Sequence, residues 1–411
     1  MYFFAREFGH LCLALQPSLT AHYQCESVQI LIKNSISVSG IYIHIPFCKK
    51  ACHYCNFHFS TNQNSKSAFI KAVCKELILR KSEYQNEEIQ SIYFGGGTPT
   101  VLEVSELNTV LKTVFEHYTV SDTPEITLEA NSDDLDVEYI KALSNTKINR
   151  LSIGIQSFSE SDLKAMNRAH NANEAKKCLE IATSYFDNIT IDLMFGMPTM
   201  SVEQWRENLQ TAFGFGIKHL SCYALTVEPK TALEHFINKG SHPPMDDEVS
   251  AKHFEVLLEE TSKQGLTHYE TCSFGHPEYF SRHNTSYWLG KPYMGVGPSA
   301  HSFDGKSRSW NISNNTKYIK SLEANVRPFE SEVLSVENRF NEYIMTGLRT
   351  IWGISLKKIE TDFGLEIKNK LLENSEKFRA SELLFLEENH LKITKTGKFL
   401  SDGIASDLFL I

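Results

Sequence analysis

Cys48, Cys52 and Cys55 stand at a C-x3-C-x2-C spacing in the stretch Ile41-Tyr-Ile-His-Ile-Pro-Phe-Cys-Lys-Lys-Ala-Cys-His-Tyr-Cys-Asn-Phe57. A cubane iron–sulfur cluster has four irons, so a loop supplying three thiolates leaves one iron open to a further ligand. The competing chemistry is a structural zinc site, with His44, His53 or His58 completing a Cys3His set. Zinc knots usually come as two Cys-x2-Cys-like pairs well apart in sequence, whereas these thiols crowd into eight residues behind an apolar, strand-like run. A disulfide framework fits less well. Cys12, Cys25, Cys74, Cys178, Cys222 and Cys272 show no pairing pattern, and the chain opens on no secretory signal, which points to a reducing cytosol.

Polar residues recur where a βα barrel would use them, at the C-terminal ends of apolar runs. Glu129 closes Ile126-Thr-Leu-Glu129, Gln156 follows Leu151-Ser-Ile-Gly-Ile155, and Asp192 interrupts Ile189-Thr-Ile-Asp-Leu-Met-Phe195. A carboxylate or amide directed into a barrel mouth can bind ribose hydroxyls or an ammonium, while in a dry core it would be costly. Capping of nearby backbone groups is the alternative, which three such strand ends in register disfavour. The Gly95-Gly-Gly-Thr98 turn lets main-chain groups approach a ligand with no Cβ in the way. It is neither a Walker loop nor a Gly-x-Gly-x-x-Gly dinucleotide turn.

Tyr42-Ile-His-Ile-Pro-Phe-Cys48, Phe94-Gly-Gly-Gly-Thr-Pro-Thr100, Gly154-Ile-Gln-Ser-Phe158 and His283-Asn-Thr-Ser-Tyr-Trp288 together resemble the oxygen-independent coproporphyrinogen III oxidase family of radical S-adenosylmethionine (SAM) proteins. The resemblance runs from about Ile41 to the C-terminus. It implies a [4Fe–4S] cluster on Cys48, Cys52 and Cys55 whose open iron is chelated by SAM, and radical chemistry if an electron donor is supplied. It also lends cofactor-binding roles to Tyr42, Tyr54, Gly96, Gly97, Thr98, Glu129, Gln156, Arg168 and Asp192, in one SAM site or two.

Two branches of the family differ at one position. The oxidase branch carries a fourth cysteine two residues after the third, where this chain has Phe57. The HemW branch, regarded as haem chaperones, has Phe there and an His-Asn-x-x-Tyr-Trp motif, so the resemblance is to that branch. It makes His283, Asn284, Tyr287 and Trp288 candidate haem-binding residues, because imidazole ligates haem iron and Tyr and Trp offer flat apolar faces with polar handles. His268, Cys272 and His301 stay open as alternative ligands. The implied function is a carrier that holds haem and passes it to an acceptor protein, one at a membrane included. Oxidative decarboxylation of coproporphyrinogen III and radical chemistry on an unrelated small substrate are the alternatives.

The 411 residues, 41% hydrophobic, can bury a large core. A formal net charge of −9 and the absence of a Lys/Arg block argue against a nucleic-acid partner. No apolar run approaches the ~18–20 residues of a membrane helix, so a soluble, cytoplasmic protein is expected.

Positioning the thiols and polar strand ends requires strands that stop at those residues. Runs at 41–47, 89–94, 125–130, 150–155, 188–193 and 219–225 read as strands. Helices lie between them, including 67–83, with Phe69, Val73 and Leu77 on one side, and 201–213, opened by the capping box Ser201-Val-Glu-Gln204. Such alternation means parallel, right-handed βα units in an α/β fold. The family implies a partial (β/α)6 radical-SAM barrel, while alternation alone also fits a doubly wound sheet. Helices at 247–265 and 335–352, a hairpin about Glu387-Glu-Asn389 and a last helix at 397–408 follow. The last part resembles a winged-helix-like α+β domain, with DNA binding disfavoured because the segment is Glu-rich and the family uses this domain to cover the barrel. The expected divisions are residues 1–39, a non-family extension; 40–265, the barrel core; 266–330, an aromatic segment completing the barrel; and 331–411, the C-terminal domain.

Overall fold

In the first strand Ile41, Ile43 and Ile45 are fully buried and alternate with Gly40, Tyr42 and His44, which the strand period turns to the other face. The isoleucines join Phe69, Val73 and Leu77 of the helix Lys66–Arg80 in one apolar core. Each such burial contributes about 1.5–3 kcal/mol. The opposite faces of the strands form a polar lining, and that lining carries the site.

A computed structural model describes residues 38–84 and 87–410. They fall in two compact units, Val38–Leu334 and the segment from Ser335 onward. In the first unit, β1 (Val38–Ile45), β2 (Glu88–Gly96), β3 (Val120–Asn131), β4 (Arg150–Gln156), β5 (Ile189–Phe195) and β6 (His219–Ala224) pair in sequence, all parallel. The six expected strands are therefore the six βα strands of the partial barrel. Beyond β6 the sheet continues with β7 (Thr267–Glu270) and β8 (Ser273–Gly275), antiparallel. Beside β1 it continues through β9 (Tyr293–Val296), β10 (His301–Phe303), β11 (Ser307–Asn311) and β12 (Phe329–Val333). The order is β12-β11-β10-β9-β1-β2-β3-β4-β5-β6-β8-β7, so the sheet ends on β12 and β7 without closing.

The helix Val202–Gly214 begins with the expected reciprocal cap, Ser201 accepting from Gln204 N and Gln204 accepting from Ser201 N. The helix expected to run to residue 83 ends at Arg80 and tightens into a 3-10 turn, Lys81–Tyr84.

The second unit is built on the helix Val336–Leu348, with Phe340, Ile344 and Leu348 buried. The helix stops short of residue 352. A three-stranded antiparallel sheet follows, β13 (Ile354–Ser355), β14 (Leu384–Glu387) and β15 (His390–Ile393), in the order β13-β15-β14. Glu387 pairs with His390, and the two residues between them, Glu388 and Asn389, take positive φ of 45° and 64°. That is the geometry two-residue hairpins favour. The last helix is split into Lys398–Leu400 and Ser401–Asp407. Among the described residues no helix is long and apolar enough to cross a membrane.

The expected divisions shift at two points, at the start of β1 and at the end of β12. Val38 and Ser39 belong to β1, so the segment 1–39 reaches two residues into the sheet, and residues 1–37, with Cys12 and Cys25, lie outside the described residues. Residues 266–330 share a compact unit with the βα strands. A boundary between 330 and 331 would cut β12, and the chain divides after Leu334.

Candidate functional site

β1 ends before Pro46, and the buried Phe47 beyond it pairs with Ser60. Gly97 N donates to Ile45 O at 2.8 Å and Thr98 N to Phe47 O at 2.7 Å, so the turn after β2 is stitched to the cysteine strand. A Cβ on Gly97 would lie 2.6 Å from Phe47 O and 3.0 Å from Cys48 Sγ. The glycine is thus required by the approach of the cysteine loop. Its N–H and that of Thr98 are spent inside the protein. Gly96, at φ 110°, donates its N–H to Glu129 Oε2 at 3.2 Å.

The structure brings the three thiols onto one loop with donors aimed at two of them. Thr98 Oγ1 donates to Cys48 Sγ at 3.4 Å, and Arg168 Nη1 donates to Cys52 Sγ at 3.4 Å and to Tyr54 Oη at 3.4 Å. Burial pushes the Cys48 thiol up to about 11, against the Thr98 hydrogen bond, and burial also raises Cys55. Positive charge beside such thiols, which bound metal supplies, favours their ionised form.

Inside the barrel, Glu129 accepts from Tyr93 Oη at 2.8 Å, and burial raises its carboxyl from 4.5 to about 7. Asp192 is raised to about 6, again by burial, with a hydrogen bond from Ser221 opposing. Tyr42 stacks on Tyr93 at 6.0 Å between ring centroids. Gln156 is buried and holds φ at 68°, a region costly for a residue with a Cβ. These side chains do share the interior, but not one level. Glu129 pairs with Ser152, Asp192 with Gly154, and Gln156 with Leu193. Glu129 also does not end its strand, because β3 runs on to Asn131.

Three participants escaped the sequence reading. Arg150 is 1% exposed, and none of its guanidinium nitrogens has a hydrogen-bond partner in the structure. Its charge opposes the burial of Glu129 and Asp192. Asn131 lies between Thr98 and Arg168. Glu125 is buried midway along β3, opposite Ser91 of β2. Only strand pairing brings these residues to the site, and a one-dimensional pattern carries no signal for it.

The aromatic block packs against the same interior through Tyr93 and Tyr42. His283 is fully buried in the short helix Arg282–Trp288, whose Arg282 and His283 N–H groups both donate to Glu125 at 2.9 Å. Its ring stacks on Tyr93 at 5.0 Å, with Nδ1 2.8 Å from Ser91 Oγ and Nε2 2.7 Å from Tyr287 Oη. Burial lowers it to about 3, so the ring is neutral. Both ring nitrogens are engaged within the protein, and through them His283 fastens the helix to the sheet. Asn284 N donates to the Ser281 hydroxyl as part of the helix cap. Tyr287 packs on Tyr293 at 4.4 Å, and Asn284 and Trp288 are partly exposed.

The zinc alternative lacks a ready fourth ligand at His44, whose Nδ1 meets Tyr42 Oη at 3.3 Å and whose Nε2 meets His58 O at 2.9 Å. Among the described residues no three His, Cys, Asp or Glu side chains gather as one metal ion requires. A cluster, with each thiolate on its own iron, does not call for that.

The radical SAM superfamily model matches residues 42–212, and the HemN C-terminal domain model matches residues 334–400. The haem chaperone HemW of Bacillus subtilis (strain 168) is 30% identical over 373 residues, covering 89% of this chain and 98% of that protein. The chain belongs to the HemW family of radical SAM proteins. HemW of Escherichia coli (strain K12) is 32% identical over 309 residues, 71% of this chain and 80% of that protein. Among solved structures, the coproporphyrinogen III oxidase HemN of Escherichia coli, a radical SAM enzyme, aligns with a TM-score of 0.79 over 93% of this chain and 92% of that one. At 19% identity that likeness carries the fold.

Radical SAM membership implies a [4Fe–4S] cluster and SAM, and the residues fit both. Three thiols share a loop, two sulfurs already receive the donors a thiolate accepts, and Gly97 leaves no Cβ against Cys48. Tyr42, Glu129, Gln156 and Asp192 supply polar groups inside the same barrel.

Proposed function

We propose that the chain is a haem chaperone of the cytoplasm, holding a [4Fe–4S] cluster on Cys48, Cys52 and Cys55 with exchangeable SAM, and passing haem to an acceptor protein. The observation that carries this reading is Phe57. It is 63% exposed just beyond Cys55, at the position where the oxidase branch has its fourth cysteine. An exposed ring there offers a flat apolar surface suited to a porphyrin and no thiol for ligation or redox work. Kinship with proteins named haem chaperones supports the same reading.

In this account Glu129 and Asp192 receive the ammonium or ribose hydroxyls of SAM, and Arg168 steadies the cluster loop through Cys52 and Tyr54. SAM supplies the ligand of the open iron when bound. Haem contacts fall to Phe57 and to the partly exposed Asn284 and Trp288, while His283 maintains the barrel. The experiment that separates a carrier from an oxidase is an anaerobic assay of the reconstituted protein with coproporphyrinogen III, SAM and reductant. A carrier yields no repeated formation of protoporphyrinogen; multiple turnovers would assign the enzyme activity instead.

A further inference from the structure

We propose that Asn131 is a positioning residue that sets the reduction potential of the cluster by holding Thr98 and Arg168 against two of its sulfurs. This rests on the reading of Cys48, Cys52 and Cys55 as cluster ligands. Arg168 Nη2 donates to Asn131 Oδ1 at 2.7 Å and to Gly154 O at 2.7 Å, and Asn131 Nδ2 donates to Thr98 Oγ1 at 3.0 Å. Thr98 Oγ1 and Arg168 Nη1 in turn each stand 3.4 Å from a cysteine sulfur, Cys48 and Cys52 respectively.

Donor chemistry fixes the direction of every bond in this chain of contacts. A guanidinium only donates, so the amide must turn its oxygen to Arg168 and its nitrogen to Thr98. Thr98 oxygen then accepts from the amide, which leaves its single hydrogen for Cys48. One carboxamide thereby commits one O–H and one N–H to two different thiolates. Hydrogen bonds to cluster sulfurs favour the reduced, more negative state and raise the potential. Glu129 does not take this role, because its carboxyl is engaged by Tyr93 Oη and Gly96 N.

The test uses the full chain, reconstituted anaerobically and titrated with reductant while the reduced cluster is followed by electron paramagnetic resonance. Asn131→Leu keeps the bulk and removes both hydrogen bonds. Its midpoint should move below the wild-type value at unchanged iron and sulfide content, and Thr98→Val should move the same way. Thr98→Ser, which retains the hydroxyl, should titrate as wild type. The double variant should shift by less than the sum of the singles, since Asn131 acts partly through Thr98. An Asn131→Leu protein with a full cluster and the wild-type midpoint overturns the proposal. If that variant takes up no cluster, Asn131→Ala, which removes both hydrogen bonds without a branched side chain, decides: a lowered midpoint upholds the relay and an unchanged one overturns it. A wild-type chain that takes up no iron and sulfide fails earlier and differently, removing the cluster reading and the relay with it.

Discussion

His283 Nδ1 lies 2.8 Å from the Ser91 hydroxyl, inside the barrel and out of reach of solvent. The fit is close enough that a Cβ on Gly40 would come within 3.0 Å of the same nitrogen. His283→Ala strands the hydroxyls of Ser91 and Tyr287, and each buried polar group left unpaired costs about 1–3 kcal/mol. The variant should melt at a lower temperature, and its folded fraction should bind haem as wild type does. Loss of haem binding in a folded His283→Ala protein would return the histidine to the role of ligand.

Cys48→Ala, Cys52→Ala and Cys55→Ala should each abolish the cluster, read as loss of iron and sulfide after reconstitution. Cys74, Cys178 and Cys222 lie off the ligand loop, in the helix Lys66–Arg80, the helix Ala172–Tyr185 and β6. Their alanine variants should retain full iron. Stoichiometric zinc in place of iron would sink the assignment.

Gly97→Ala places a methyl group 2.6 Å from the Phe47 carbonyl oxygen. Overpacking of this kind costs about 1–3 kcal/mol, and here the strain falls on the cysteine loop. Iron uptake and melting temperature should both drop. Gly214→Ala, whose Cβ meets nothing within 4 Å, is the control and should match wild type.

Burial raises Glu129 from 4.5 to about 7, so the folded chain holds this proton more tightly than the unfolded chain does. The contribution to stability is complete below pH 4.5 and is lost as pH rises through about 7. Glu129→Gln should flatten the decline of the urea midpoint across that window in the SAM-free protein. Asp192, raised to about 6, leaves some slope behind. An undiminished slope in the variant would show that Glu129 is not buried as described.

The cysteine loop, the six parallel strands and the Ser201 cap were legible in the sequence because each depends on neighbours a few residues away. The same holds for the Glu388–Asn389 turn, where a polar pair between short apolar runs meets the demand for positive φ. Residues whose roles arise from pairing across the sheet were not legible. Asn131 works through Thr98, 33 positions earlier, and through Arg168, 37 positions later. The setting of the His283 motif was not legible either. Its residue types suggest haem ligation, while its place in the fold depends on Glu125, 158 positions away, whose carboxylate accepts from the N–H groups at the start of the helix.

Haem binding by this chain is measured by titrating the cluster-replete protein with haem under anaerobic conditions and following the Soret band. A haem chaperone should give a shifted band that saturates at about one haem per chain. Titration with no Soret shift, in a sample shown to hold its cluster, would rule out that function.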